Sequence, residues 1–207
     1  MAAKAVEDKF RVVAVLVTHN GAIWLPEVVA ALGSQTRPID FISAIDTGST
    51  DSSTKLLKSA RIAFTTTQAD VGYGKAVSMV LQSLPECEPD EWVWLIHDDC
   101  APSPTALAQL LAAVQERPQV VMAGPKLLGW HDRTHLLEAG VSIAGNGARW
   151  TGLETNEYDQ GQHDGNHDVL AVSTAGALIR RDVFEEIGGL DPNLTLFRDD
   201  VDFGWRV

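Results

Sequence analysis

The chain is predicted to fold as an α/β domain, a mostly parallel sheet with helices on both faces. Three observations point there. Short β-branched apolar runs alternate with segments whose apolar residues recur at helical spacing. The strongest run, Trp92 to Ile96, stays apolar until turn signals end it at Pro102, as a buried strand does. Acidic residues fall where such elements end or begin: Asp46, then Asp98 and Asp99, then Asp199, Asp200 and Asp202. In open α/β sheets the exits of the strands are where ligands bind.

Val12 to Val17 reads as the first strand and leaves through Thr18-His19-Asn20-Gly21. Ala22 to Leu32 has apolar residues at helical spacing, and Gly33 stops it. Phe41 to Ile45 is a second strand ending at Asp46. The turn Thr47-Gly48-Ser49-Thr50-Asp51 leads into a helix over about Ser52 to Ala60. Ile62 to Thr67 is a third strand. Gly72-Tyr73-Gly74 opens a helix running to Leu84, and Pro85 to Asp90 is a polar linker before the Trp92 strand. Pro104 to Glu116 is helical and Gln119 to Ala123 is a strand. From His131 to Asp168 the chain is rich in Gly, Asn, Asp and His, with one strand-like piece, Leu136 to Ile143. A polar stretch that long inside a domain is usually functional or mobile. Val169 to Arg180 recovers strand character. Asp182 to Glu185 reads as a capping box opening a helix that ends at Gly188-Gly189. Phe197 to Val207 reads as the first turns of a further helix, which stops after two turns, so a longer parent protein is expected.

At 207 residues, one domain spanning 1–207 with a full-sized core is expected. A net charge of -12, without a Lys/Arg cluster, argues against a nucleic-acid partner. No apolar run approaches the roughly 18 residues of a membrane span, and Met1 to Arg11 lacks the apolar stretch of a signal peptide. Cys87 and Cys100 form no motif, which fits a reduced, cytoplasmic setting. Cys100 stands beside carboxylates with no activating base nearby in sequence, a poor setting for a nucleophile.

Buried carboxylates are costly unless paired or metal-bound, so Asp98 and Asp99 at a strand exit suggest a site for a divalent cation. Each acidic site also has a plain reading: Asp46 as a turn residue, Asp98 and Asp99 as helix caps, Asp199 to Asp202 as a solvated first helical turn. His163 and His167, like His131 and His135, are four residues apart, but they lie among Gly, Asn and Asp without helical periodicity and read as loop. Trp130, Trp150 and Tyr158 are of a type that stacks on sugar rings, although packing explains any one of them.

Taken in order, the motifs resemble a family 2 inverting glycosyltransferase of the GT-A (Rossmann-like) fold, over nearly the whole chain. Val13 to Asn20 is similar to the first strand and its polar exit in that family. Ile45-Asp46-Thr47-Gly48-Ser49-Thr50-Asp51-Ser52 resembles its D-[ND]-G-S-T-D-G-S signature, and Gly72-Tyr73-Gly74-Lys75-Ala76 its glycine-rich helix start. Trp94 to Asp99 stands where the family has D-x-D, with His97 at the first acidic position. Ser173 to Asp191 resembles the acceptor-side block, and Phe197 to Trp205 the E-D-x-D segment that carries the base.

The resemblance implies transfer of a sugar, with inversion, from a nucleoside-diphosphate donor to an acceptor hydroxyl. It implies that Asp46 contacts the nucleotide base, with Thr18, Asn20, Gly48 and Asp98 around the nucleotide. Asp70 and Lys75 flank the glycine helix start, whose free N–H groups suit a phosphate; a solvated surface Lys75 is an equal reading. Asp99 is the expected ligand of Mn²⁺ or Mg²⁺, with His97 or Asp98 beside it. His97 is either a second ligand, which suits Mn²⁺ better, or a hydrogen-bonding group for the donor. Asp200 matches the position of the base and Asp199 that of an acceptor-orienting acid, while Asp202 is either part of this set or a helix cap. Within the family, the sequence is closest in character to rhamnosyl- and galactofuranosyl-type transferases of bacterial envelope glycan assembly. The acceptor is then a glycan or lipid-linked glycan, reached at the inner face of the membrane, with any membrane contact made by parts outside this chain. Two other classes stay open: a non-catalytic nucleotide-sugar-binding module of a larger assembly, and a nucleotidyltransferase. The latter is expected to show a Gly-rich basic loop after the first strand, which Thr18-His19-Asn20-Gly21 is not.

Overall fold

The computed structural model describes residues 9–194 and 198–207. The first half follows the predicted alternation: β1 (Arg11–Thr18), α1 (Leu25–Gly33), β2 (Phe41–Asp46), α2 (Ser53–Ser59), β3 (Ala63–Thr66), α3 (Tyr73–Gln82), β4 (Glu91–His97) and α4 (Ala106–Glu116). Beyond α4 come the short strands β5 (Met122–Ala123), β6 (Leu127–Leu128), β7 (Leu136–Glu138), β8 (Ser142–Ile143), β9 (Arg149–Trp150) and β10 (Leu178–Arg180). The chain closes with α5 (Arg181–Glu186) and α6 (Asp199–Arg206).

The main sheet has the order β3-β2-β1-β4-β10-β5. Its first four strands are parallel, with β1 in the middle. Strand β10 runs antiparallel between β4 and β5, so the sheet is mostly parallel but mixed. Because β1 is covered on both sides, all of Val12 to Val17 is buried, and alternate residues feed two cores. Val12, Ala14 and Leu16 pack with Leu25 and Val28 of α1, Leu57 of α2 and Leu107 to Val114 of α4. Val13, Val15 and Val17 pack with Val77 and Val80 of α3, Phe184 of α5 and Phe203 of α6. Helices therefore cover both faces. Trp94 is fully buried, and its indole N–H donates to the Gly176 carbonyl (3.1 Å), which settles its one polar atom.

Several local expectations change. Helix α1 begins at Leu25 rather than Ala22, because Trp24 and Leu25 first close a turn onto the Gly21 carbonyl. The 119–123 strand shrinks to Met122–Ala123, and the 136–143 strand is two pieces separated at Gly140, whose φ is +89°. Of the strand expected over 169–180 only 178–180 is regular; the 169–177 stretch instead bonds to Val141 and Leu95 and has its 170–171 backbone against α6. Asp182 is no helix cap: α5 starts at Arg181, and the Asp182 carboxylate pairs with Arg180. The four histidines of the polar stretch hold no shared site. His163 pairs with Glu157 and His167 with the Asp164 carbonyl. Phe197 lies outside the described residues. Among the described residues no helix is long and apolar enough to cross a membrane.

At the far end of β4 from the strand exits, Arg181 and Glu91 form a buried ion pair (2.6 Å), with Arg181 also donating to the Pro85 carbonyl (2.8 Å). At the other end, α6 lies so close to the 170–171 backbone that a Cβ on Gly204 would stand 2.3 Å from the Leu170 oxygen. Gly204→Ala is therefore expected to lower stability by about 1–3 kcal/mol through overpacking against rigid backbone. Gly33→Ala, where a Cβ meets nothing within 4 Å, is expected to be neutral or stabilising by up to about 1 kcal/mol. Urea denaturation of both variants checks the contrast.

Candidate active site

Register sets the site. Thr18 pairs with Asp46 and Val17 with His97, so the exits of β2, β1 and β4 lie side by side. At this edge Asp98 turns back toward β1. Its Oδ2 accepts from the Thr18 hydroxyl (2.8 Å) and from the His19 backbone N–H (2.8 Å). A Cβ on Gly21 would fall 2.2 Å from that same oxygen, so only glycine lets the β1 exit close over the carboxylate. Burial raises the Asp98 carboxyl above its usual range, opposed by those two hydrogen bonds. Asp98 thus fastens β4 to β1, and Thr18 spends its hydroxyl on Asp98.

The β1 and β2 exits are sewn together by a second set of bonds. Asn20, at φ +52°, donates its backbone N–H to Ser49 Oγ (2.8 Å) and accepts from the Thr50 N–H at Oδ1 (2.8 Å). His19 Nδ1 meets the Thr47 carbonyl (2.7 Å), and Asp51 accepts from Ala22 N–H (3.0 Å). Gly48, at φ +74°, leaves no room for a Cβ against the Ala69 backbone.

Asp46 is the odd member. It is 2% exposed, and its Oδ2 accepts from the Ser49 N–H (3.1 Å), the turn-capping role. Its Oδ1 is buried with no hydrogen-bond partner, alone in this among the buried side-chain atoms of the described residues. A buried acceptor without a donor costs about 1–3 kcal/mol. Asp70 and Lys75 are both exposed, Asp70 in the loop before α3 and Lys75 in its first turn.

His97 ends β4. Its Nε2 is engaged with Thr174 Oγ1 (3.1 Å), and its ring lies 4.5 Å from that of Tyr73. Burial holds the imidazole below its ordinary value, against the pull of Asp99. Asp99 is exposed, with no hydrogen-bond or ion-pair partner among the described residues. Among the described residues no group of three His, Cys, Asp or Glu side chains is assembled for a metal. The free carboxylate of Asp99 is an oxygen donor of the type that Mg²⁺ and Mn²⁺ both accept. Cys100 is pushed up to about 12, first by burial and then by Asp99, so it is not a nucleophile.

At the start of α6, Asp199 and Asp200 are both buried. Burial, and then the Asp200 charge, raise the Asp199 carboxyl, and burial with the Asp199 charge raises the Tyr73 phenol well above its usual range. Asp200 meets Arg149, which the sequence did not single out, and through it Glu138, also unmarked. Arg149 of β9 donates to Asp200 through Nε (3.0 Å) and Nη2 (2.8 Å), and also pairs with Glu138 of β7. The available signal was small: a lone charged residue on the inward side of the apolar Leu136-Leu137-Glu138 run. Trp150 and Tyr158 are 56% and 53% exposed, while Trp130 packs against the core.

A model of the family described as "Glycosyltransferase like family 2" matches residues 53–207. The chain belongs to this family. The fold is that of GT-A glycosyltransferases. N-acetylglucosaminyl-diphospho-decaprenol L-rhamnosyltransferase of Mycobacterium tuberculosis is 27% identical over 213 aligned positions, covering 93% of this chain and 69% of that protein. Among solved structures, residues 1–349 of TarS from S. aureus superpose with TM-score 0.65 at 15% identity, over 95% of this chain and 55% of that one. GalNAc-T7 with UDP, GalNAc and Mn²⁺ gives 0.68 at 16%, over 97% and 41%. Mannosyltransferase PcManGT from Pyrobaculum calidifontis, with GDP-Man and Mn²⁺, gives 0.60 at 17%, over 94% and 51%. The chain thus spans about half the length of these solved relatives.

Two outcomes are expected from this geometry. Asp98→Ala strips Thr18 and His19 of their acceptor and lowers stability by about 1–3 kcal/mol in urea denaturation; Asp98→Asn, which keeps an acceptor oxygen, loses less. For His97, the unfolded chain binds a proton near pH 6.5 while the buried ring resists it. Its contribution is therefore present above that pH and lost as pH falls below it. Melting temperatures of wild type and His97→Gln between pH 5 and 8 test this: the wild type loses more on acidification.

Proposed function

We propose that this chain is one transferase domain that moves a sugar, with inversion, from a nucleoside-diphosphate donor to a hydroxyl of a lipid-linked glycan acceptor. The observation that carries this reading is the unpartnered buried oxygen of Asp46, set in a preformed cradle at the strand exits. An N–H on the edge of a nucleobase is the donor such an oxygen calls for. Thr18, Asn20 and Gly48 build the walls of that cradle, with Asp98 fastening it to β4. Asp70 and Lys75 stand by the N-terminal turn of α3, where phosphate is favoured.

Asp99, with His97 beside it, would hold a divalent cation against the diphosphate. Such an ion, when bound, offsets the charge that grows on the leaving diphosphate. The protein's own part is proton transfer and positioning. The acceptor oxygen forms its bond to the anomeric carbon from the face opposite the diphosphate. The bond from that carbon to the phosphate oxygen breaks, its electron pair leaves with the diphosphate, and the acceptor proton passes to Asp200. Asp199 orients the acceptor. The M. tuberculosis relative, whose name specifies rhamnosyl transfer to a prenyl-diphosphate-linked N-acetylglucosamine, supports a cell-envelope acceptor of this class. Work at the cytoplasmic face of the membrane is part of the same proposal.

Calorimetric titration of UDP, dTDP, GDP and CDP, with and without Mn²⁺, tests the donor site. One diphosphate is expected to bind in a Mn²⁺-dependent way. Asp99→Asn removes the metal dependence, and Asp46→Asn weakens binding roughly tenfold or more, equivalent to about 1.4 kcal/mol. Failure of all four nucleotides to bind overturns the donor site. Binding without any diphosphate release from nucleotide sugars favours the non-catalytic binding module.

A further inference from the structure

Of the charged groups in the second half of the fold, one set faces Asp200 from two strands that the expected chemistry does not use. Arg149 of β9 places both Nε and Nη2 on a single carboxylate oxygen, Oδ2 of Asp200, at 3.0 and 2.8 Å. The other oxygen, Oδ1, receives the Val201 N–H (2.8 Å). A carboxylate oxygen has two lone-pair directions, so Oδ1 keeps one for an incoming hydroxyl while Oδ2 is filled. The guanidinium is itself held by Glu138 Oε2, and Glu138 Oε1 accepts the Ser173 N–H (3.0 Å). Ser173 adjoins Thr174, the partner of His97. The side chains of Glu138 and Asp200 are each 9% exposed and that of Arg149 25%. Asp199 is the further charge beside Asp200, with Tyr73 of α3 against it. A buried carboxylate–guanidinium–carboxylate row is a poor way to gain stability, since desolvation offsets most of the attraction. It is a good way to fix one orientation, because the planar fork allows few others.

We propose that Arg149, held by Glu138, is a positioning residue that turns Asp200 so that Oδ1 faces the acceptor hydroxyl, and that Glu138 ties this orientation to the 173–174 segment behind His97. This rests on the reading of Asp200 as the base, and Arg149 acts through that carboxylate without touching the reacting atoms.

The test is a double-mutant cycle in the full chain. Release of nucleoside diphosphate is followed with whichever of the UDP-, GDP- and dTDP-sugars the wild type turns over, and with prenyl-diphosphate-linked N-acetylglucosamine as acceptor. Asp200→Asn is expected to lower kcat about 10³-fold, within the range for loss of a general base. Arg149→Met is expected to lower it about 10²-fold, with donor KM and Mn²⁺-dependent diphosphate affinity within twofold of wild type. Arg149→Lys recovers part of the loss, and Glu138→Gln falls between. In the Asp200→Asn background, Arg149→Met is expected to cost less than threefold more. A full 10²-fold loss in that background, or a donor KM that rises as kcat falls, makes Arg149 a structural tether and overturns the proposal. Undiminished turnover in Asp200→Asn instead overturns the base assignment. Crystal structures of wild type and Arg149→Met decide the matter independently of turnover. The Asp200 carboxylate is expected to rotate while α6 stays in place, and an unmoved carboxylate refutes the role of Arg149.

Discussion

The parallel pairing of β1 between β2 and β4 is the constraint on which this molecule turns. Side-chain direction alternates along a strand, and parallel hydrogen bonding allows only one register in which all three strands bury both faces. That register brings Thr18 opposite Asp46 and Val17 opposite His97. A slip of one residue would carry Val13, Val15 and Val17 from the α3 side to the α1 side and scatter the polar exits. The two apolar cores therefore place the polar edge, although they lie away from it.

The edge is then held by hydrogen bonds to carboxylates and amides. Asp98 closes β4 onto β1, while Asn20 and Asp51 close the β1 exit onto the β2 turn. Each of these side chains accepts from a backbone N–H and from a hydroxyl, which forms the cradle before any ligand arrives. Preorganisation of this kind lowers the ordering cost of binding. Against that background the unpaired Asp46 Oδ1 stands out: the loop satisfies its neighbours and leaves this one atom.

The second half of the chain is organised differently. Its strands are two or three residues long and cannot hold themselves by ladder hydrogen bonds. Charge contacts supplement them: Arg149 with Glu138 and Asp200, and Lys126 with Asp159 (2.6 Å) and Asp164 (2.6 Å). The proposed acceptor side thus depends on ion pairs that run from buried to exposed, whereas the proposed donor side depends on a parallel sheet. This difference in material sets the sensitivity of each half to mutation. Loss of one carboxylate near α6 leaves the half-buried Arg149 with a single carboxylate partner, but the sheet edge has several bonds to share the loss.

Local sequence was enough for the first half. Apolar runs, glycine stops and acidic exits announced β1 to α4 within a few residues, because each element there carries its own pattern and joins its neighbour through a short connection. Asp46, Asp98, His97 and Asp99 could be gathered at one edge for the same reason: in a parallel sheet, chain order and exit position go together. What the linear chain did not contain was the antiparallel insertion of β10, the packing of the 170–171 backbone against α6, and the meeting of Glu138, Arg149 and Asp200. Those contacts join residues 11 to 88 positions apart, several of them through strands too short to show a period. The contacts of Asp200 and of Gly204 also need α6 in place against these segments. The division of labour within the carboxylates was also invisible in sequence. Asp98 and Asp99 are adjacent and alike, yet the fold turns one inward to bond Thr18 and His19 and leaves the other in solvent. Composition and order determined the fold and the type of chemistry at its edge. Burial and hydrogen-bond geometry, which belong to the assembled structure, decided which of those groups remain available to perform it.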